Sequence, residues 1–235
     1  MTFNRTKLCG HVFPAVAVLL TVGCGGATAQ STDGAAAAAN PRLGAETWSA
    51  ELETRSGASH PLVPVGYGTL SQDAITVLVR SEGLQVKFVP LSEWVIRLTA
   101  PDTYRRLNGY KVSRAEEILD LTRRAGERGW PLVAFVTFFS RSVEESFEPY
   151  DLQVSNQSRL YRPFDVIPVT PDFGRARLGQ QESQVALYLF SEEIDLNLPT
   201  TVRYGDAESD RWNSIRSTLD SELSRANSRA GAGQP

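Results

Sequence analysis

The sequence predicts a mainly β fold: an antiparallel β-sandwich of about seven or eight strands, with a helical insertion at 101–129 and a C-terminal helix at 209–225. Three observations point there. Short runs with apolar residues at every second position recur between Gly- and Pro-containing turns. The run Pro131–Ser140 (PLVAFVTFFS) is apolar without alternation, as a strand covered on both faces should be. Three or four residue spacing of apolar positions is confined to the two helical stretches. An α+β domain with its helices on one face is the alternative.

The first strands lie between 74 and 98. Ala74–Ser81 carries the β-branched Ile75, Val77 and Val79 on one side, and Leu84, Val86 and Phe88 alternate with Gln85 and Lys87. The link Ser81-Glu82-Gly83 is short and contains Gly, which predicts a hairpin. Trp94, Ile96 and Leu98 alternate with Val95 and Arg97, predicting a third strand. Trp48–Thr54 and Leu62–Tyr67 are weaker strand candidates.

The helical insertion follows. Pro101 suits a first helical position, Tyr104 and Leu107 share a face, and Asn108-Gly109 is the expected stop. Ser113 and Glu116 have the spacing of a capping box ahead of Ala115, Ile118, Leu119, Thr122 and Ala125, with Gly126 or Gly129 as terminator. Beyond the central strand, Tyr150–Ser155, Gln184–Phe190 and Leu198–Tyr204 read as strands, and Arg162–Gly179 as a Pro- and Gly-punctuated loop. Ser209 or Asp210 is placed to cap a helix whose Trp212, Ile215, Leu219 and Leu223 face one way. Residues 47–226 are thus expected to form one domain and 227–235 a disordered tail.

The first 23 residues have the form of a targeting signal. Arg5 and Lys7 precede an uncharged stretch of 11 residues, Val12–Val22, about half the roughly 20 needed to cross a bilayer. It ends in Leu20-Thr21-Val22-Gly23-Cys24, which resembles a bacterial lipobox, with Thr21 where Leu is commonest. The resemblance implies a diacylglyceryl thioether on Cys24 and cleavage between Gly23 and Cys24. A thiolate is the side-chain nucleophile best suited to that alkylation. Cleavage would leave 212 residues with Cys9 gone and Cys24 lipidated, hence no free thiol. An ordinary signal peptide cut near Ala29 is the alternative. Residues 24–46 read as the lipidated Cys and a small-residue linker, a coil that spans roughly 25 Å over about 20 residues. The implied location is the cell envelope: the outer membrane facing the periplasm in a diderm, or the outer face of the cell membrane in a monoderm.

Several chemistries are short of residues. A net charge of −3 lacks the basic face that nucleic acid requires, so no nucleic-acid partner is expected. Beyond the leader the chain has one histidine, His60, in the turn-like SGASHP, so neither a triad nor a zinc site is expected, and no cofactor is implied. Three carboxylate groups remain: Asp206, Glu208 and Asp210; Glu144, Glu145, Glu148 and Asp151; and Glu192, Glu193 and Asp195. The first has the opening spacing of a calcium loop, but Arg211 and Ser217 stand where Gly and Glu are required. Helix capping accounts for it better.

Arginine outnumbers lysine 21 to 3, and several arginines fall in one loop. Tyr161, Arg162, Phe164, Phe173, Arg175 and Arg177 interleave aromatic and guanidinium groups, a composition typical of interface hot spots. The competing reading has Phe164 and Phe173 packed beneath the loop as anchors.

The stretch from Pro131 to Trp212 is similar to the immunoglobulin-like sandwich modules of bacterial lipoproteins. The likeness rests on the aromatic strand, Pro149-Tyr150-Asp151, the alternating Ala186–Phe190 and a closing strand ending at Tyr204-Gly205. It lacks the Cys–Trp–Cys core of true immunoglobulins. Such modules mostly bind or scaffold. The resemblance therefore implies a non-enzymatic, lipid-anchored envelope protein whose partner is another protein or an envelope polymer. A hydrolase using two nearby carboxylates is the second expectation.

Overall fold

The structure, a computed structural model, describes residues 62–232, all within one unit spanning 39–235. Gly23, Cys24, the linker, Trp48–Thr54 and His60 lie outside the described residues.

Two antiparallel sheets and a short ribbon make up the β framework. The first sheet contains β1 (Val77–Arg80), β2 (Leu84–Pro90), β3 (Leu132–Ser140), β9 (Ser183–Phe190) and β7 (Asp165–Pro168), in the order 1-2-3-9-7. The second contains β11 (Ala207–Ser209), β10 (Thr200–Tyr204), β5 (Leu152–Asn156) and β6 (Arg159–Tyr161), in the order 11-10-5-6. The ribbon pairs β4 (Glu144–Ser146) with β8 (Arg177–Gly179). The class is mainly β with a C-terminal helix, and the arrangement is sandwich-like.

The apolar run at 131–140 occupies the central position its composition predicts, with β2 on one side and β9 on the other. One face of β3 turns to the second sheet. Phe138 stacks on Phe147 at 4.3 Å and meets Tyr204 of β10 edge-on at 5.5 Å. Phe173 and Tyr188 close the cluster, with Phe173 lying 5.4 Å from Phe147. The other face carries Phe135, whose ring lies 4.8 Å from Tyr110. Helices therefore cover one side of the first sheet and strands the other, which is why 131–136 is buried without alternation. The second sheet alternates instead: Leu152, Val154, Val202 and Tyr204 are buried, while Gln153, Ser155, Thr201 and Arg203 are half-exposed.

The expected hairpin forms, with Arg80 opposite Gln85 and Gly83 at a φ of +76°. A side chain at Gly83 would also run into the Glu145 carboxylate. Three expectations need correcting. Trp94–Leu98 is not a strand. Glu93–Ile96 is a helical turn, α1, in which every residue is buried, so the apparent alternation carried no facing information. Asn108-Gly109 does not end the next helix. α2 runs Pro101–Ser113, because Tyr104, Leu107, Asn108 and Lys111 all turn inward and tertiary burial outweighs the cost of one glycine. Ser113 makes no capping box either. It closes α2, its Oγ donates to the Tyr110 carbonyl, and Arg114 precedes α3 (Ala115–Arg124). Gly126, at φ +80°, terminates α3 as expected.

Other differences are local. Gln72–Ile75 is a 3-10 turn, so β1 is shorter than Ala74–Ser81. Leu62–Tyr67 forms no strand. It is held by Arg97 Nη1, which donates to the Val63 carbonyl at 3.2 Å, and by Arg229 to the Tyr67 carbonyl. Gly68 is required there, since a side chain would overlap the Leu98 backbone. The loop 162–179 contains β7, a 3-10 turn at Pro171–Arg175, and β8. These short strands exist because β9 and β4 offer edges, which no local pattern reveals.

The C-terminal helix α4 spans Trp212–Ala232, so most of the expected tail is helical. Burial of Ala226 and the anchoring of Arg229 to Glu222 and Tyr67 carry it past the predicted end. Trp212, Ile215 and Leu219 are buried as the spacing predicts, and Leu223 is half-buried. Trp212 Nε1 donates to the Leu196 carbonyl at 2.8 Å. No helix among the described residues is long and apolar enough to cross a membrane.

Candidate functional site

The six residues singled out in the 159–177 region do not converge. Tyr161 is half-buried at the end of β6, and Arg162 is exposed just after it. Beside them Arg159 pairs with Glu193 and sits 5.9 Å over the Tyr161 ring. Phe164 is half-buried against the core. Phe173 is 3% exposed, held inside the aromatic cluster, so it anchors the loop and offers no face to a partner. Arg175 and Arg177 are exposed at the far end. β7 runs antiparallel along β9 between the two groups, with Phe164 N–H on the Leu189 carbonyl and Thr170 N–H on that of Val185. Strand geometry therefore sets Arg162 and Arg177 on the order of 20 Å apart.

The Arg175/Arg177 end borders a groove of about 400 Å³ lined by the β4–β8 ribbon and the start of β9. The β4–β8 pairing sets Glu144 opposite Gly179 and Ser146 opposite Arg177. Arg177 Nη1 lies 3.2 Å from Glu144, and Arg175 Nη1 lies 3.3 Å from Asp172. All four side chains are well exposed, so each pair is weak and its arginine is free to exchange partners. Val143, 77% exposed, and the buried Leu178 supply apolar wall.

Gln184 lies deeper in the lining, at 2% exposure, directly opposite Phe138. Its Nε2 donates to the Arg177 carbonyl at 2.8 Å, which fixes the amide orientation. Oε1 then has no donor among the described protein atoms. An unpaired buried acceptor costs on the order of 1–3 kcal/mol. Glu182 lies just before β9 and is exposed. The Glu182 carboxylate accepts the Gly179 N–H at 2.7 Å and has no cationic partner among the described residues.

The acidic groups do other work. Glu144 and Glu145 are adjacent on β4 and so face opposite ways, one to Arg177 and the other towards Gly83 and Ser142. Glu148 accepts from the Tyr150 N–H. Its own N–H donates to Tyr204 Oη at 2.8 Å. Burial pushes the Tyr204 hydroxyl up to about 12 despite that hydrogen bond. Burial raises Tyr188 further, and its hydroxyl has no partner among the described atoms. Glu193 pairs with Arg159, Asp195 accepts from the Asn197 backbone N–H and Nδ2, and Glu208 of β11 faces Arg203 of β10. Among the described residues no three His, Cys, Asp or Glu side chains are grouped to hold a metal ion.

Sequence reasoning missed two buried carboxylates. Glu93 of α1 lies 2.7 Å from both Lys111 Nζ and Arg97 Nε, and accepts Tyr104 Oη at 2.9 Å. Burial pushes the Glu93 carboxyl up, but Lys111 and Arg97 more than offset that and hold it below its ordinary value. Glu222 of α4, 1% exposed, accepts the Thr69 N–H at 3.0 Å and the Thr69 hydroxyl at 2.8 Å, and pairs with Arg229. Burial again raises it, and the Thr69 and Arg229 contacts bring it below the ordinary value. Both clusters lie apart from the groove and act as structural locks. The i, i+4 spacing of Glu93 and Arg97 was the one signal available in the sequence.

The described residues thus define a sandwich-like β domain with a helical layer on one sheet and a charged groove at one end. No protein-family model, curated protein or solved structure matches the chain.

Proposed function

We propose that this chain is a lipid-anchored cell-envelope protein that binds a partner through the groove at the ribbon end of its β domain. The observation that carries the reading is the groove itself, with its exposed, exchangeable Arg175 and Arg177 pairs beside the apolar Val143 and Leu178. The lipobox-like Leu20–Cys24 supports the anchor, and the small-residue run that follows supports a spacer between membrane and domain. The likeness to immunoglobulin-like modules of bacterial lipoproteins favours binding or scaffolding over chemistry.

The anchor is tested by Cys24→Ser. Loss of lipid label, retention of the precursor size and release from the mature membrane-bound form are expected. Unchanged size, membrane fraction and label would refute it. The groove is tested by Arg175→Ala with Arg177→Ala, which should leave the melting temperature unchanged and abolish retention on immobilised envelope material that retains the native chain. Equal retention of the variant would remove the groove from the binding role.

A further inference from the structure

The helical layer closes only part of its side of the first sheet. Where Phe135 meets Tyr110 the face is shut, and the neighbouring Val89 and Leu187 are fully buried. Towards the other end of the same strands it opens. The register sets Leu78, Lys87 and Thr137 side by side in one row and Arg80, Gln85 and Phe139 in the next. β9 adds Val185 and Ser183 to the two rows. All of them share the Phe135 face, because they stand an even number of positions along their strands or directly opposite such a residue. All are half-exposed or exposed, whereas Val79, Val86 and Phe138, which alternate with them, are buried in the sandwich. The open stretch from 137 to 140 is about 13 Å long at roughly 3.3 Å per residue, and four strands make it about 15 Å wide. That is room for one α-helix of about 10 Å diameter, laid across the strands for roughly three turns.

The charge of this face is one-sided. Neither Arg80 nor Lys87 is ion-paired among the described residues, unlike Arg175 and Arg177 in the groove. Neither row contains a carboxylate. Glu82 and Glu182 stand outside them, in the hairpin turn and just before β9. We propose that this open face docks an acidic amphipathic helix of a partner protein, as one more member of the helical layer. Its apolar stripe covers Phe139, Leu78 and Val185, as helices close the rest of the same face. Its carboxylates meet Arg80 and Lys87, and a basic helix is refused by like charge. The face is separate from the groove, since Gln184, which lines the groove, turns to the other side of β9.

The test is an NMR titration of the purified full-length chain, following the backbone amides of Gln85, Thr137 and Val185. The probe is a blocked peptide of about 14 residues, roughly four helical turns, with Leu along one stripe and Glu elsewhere. The controls are the same peptide with Lys for every Glu, and the Glu peptide broken by central prolines. Saturable shifts of all three amides by the Glu helix are expected, with none from either control. Arg80→Gln with Lys87→Gln should weaken binding about tenfold and leave the melting temperature unchanged, since neither side chain has an ion pair to lose. Equal shifts from the Lys or the proline peptide overturn the proposal, as do an absence of shifts with the Glu helix and an unaltered affinity in the variant. A dimer of the native chain that Phe139→Ser dissociates would also overturn it, by assigning the face to a second copy. Arg175→Ala with Arg177→Ala leaves this titration untouched, so failure of the groove and failure of this face are separable.

Discussion

The two helical regions attach to the β framework by the same device with different surroundings. The insertion, α1 to α3, is fastened by Glu93, and the C-terminal helix by Glu222. Both carboxylates are essentially buried, at 2% and 1% exposure. Their cations differ. Lys111, 1% exposed, is sealed in with Glu93, whereas Arg229 has a side chain 39% exposed. Removing Glu93 therefore takes the carboxylate from a lysine that solvent does not reach, while removing Glu222 leaves a guanidinium that solvent can reach. The worth of a buried carboxylate is set by where its partner sits, and equal burial does not imply equal stabilisation.

The largest effects should come from the two lock points. Glu93→Leu is expected to cost about 3–5 kcal/mol in urea unfolding, because it takes the carboxylate from the buried Lys111. Trp212→Ala should cost a similar amount, about 3–5 kcal/mol, through loss of a buried indole and its bond to the Leu196 carbonyl. A change within about half a kcal/mol would instead mean that α4 docks elsewhere.

Glu222→Gln should be milder, about 1–3 kcal/mol, since the amide retains an acceptor for Thr69 and Arg229 can hydrate. If it matches Glu93→Leu in cost, cation exposure is not what separates the two locks. The pH dependence sharpens the contrast. Both carboxyls are held below the ordinary 4.5 in the folded chain. A depressed folded value means the stabilisation is complete above about pH 4.5 and is lost as pH falls through the folded value. Urea midpoints measured from neutral pH down to the acid limb should fall below that point in the native chain. The fall should be shallower in either variant. A parallel fall in all three would show that neither lock titrates as described.

The smallest effect is expected at Glu208. Its pairing with Arg203 at 3.4 Å is exposed on both sides, so Glu208→Gln should change stability by no more than about half a kcal/mol. A larger loss would show that surface pairs on β11 carry weight that their exposure denies.

Elements whose pattern reflects burial by many partners were legible in the sequence. The 131–140 run is central because nothing polar interrupts it, and the Trp212 helix docks along the spacing of Trp212, Ile215 and Leu219. Trp94–Leu98 was misread because a short element buried all round has no facing pattern, so strand and helix periods fit equally well. The loop candidate was half legible. Its composition located Arg175 and Arg177 at the groove, but could not tell that Phe173 turns inward or that Arg162 lies at the other end of a strand.

By itself the sequence determined the mainly β class, the central strand, the first hairpin and the amphipathic C-terminal helix, because period and turn chemistry are local properties. Only the tertiary structure decided which short segments became strands, since β7 and β8 depend on edges supplied by β9 and β4. It alone paired Glu93 with Lys111 and Glu222 with Thr69, residues 18 and 153 positions apart. The groove belongs to the same category. Its walls come from β4 and β8, paired segments far apart in the chain, a long-range arrangement that no window of sequence encodes.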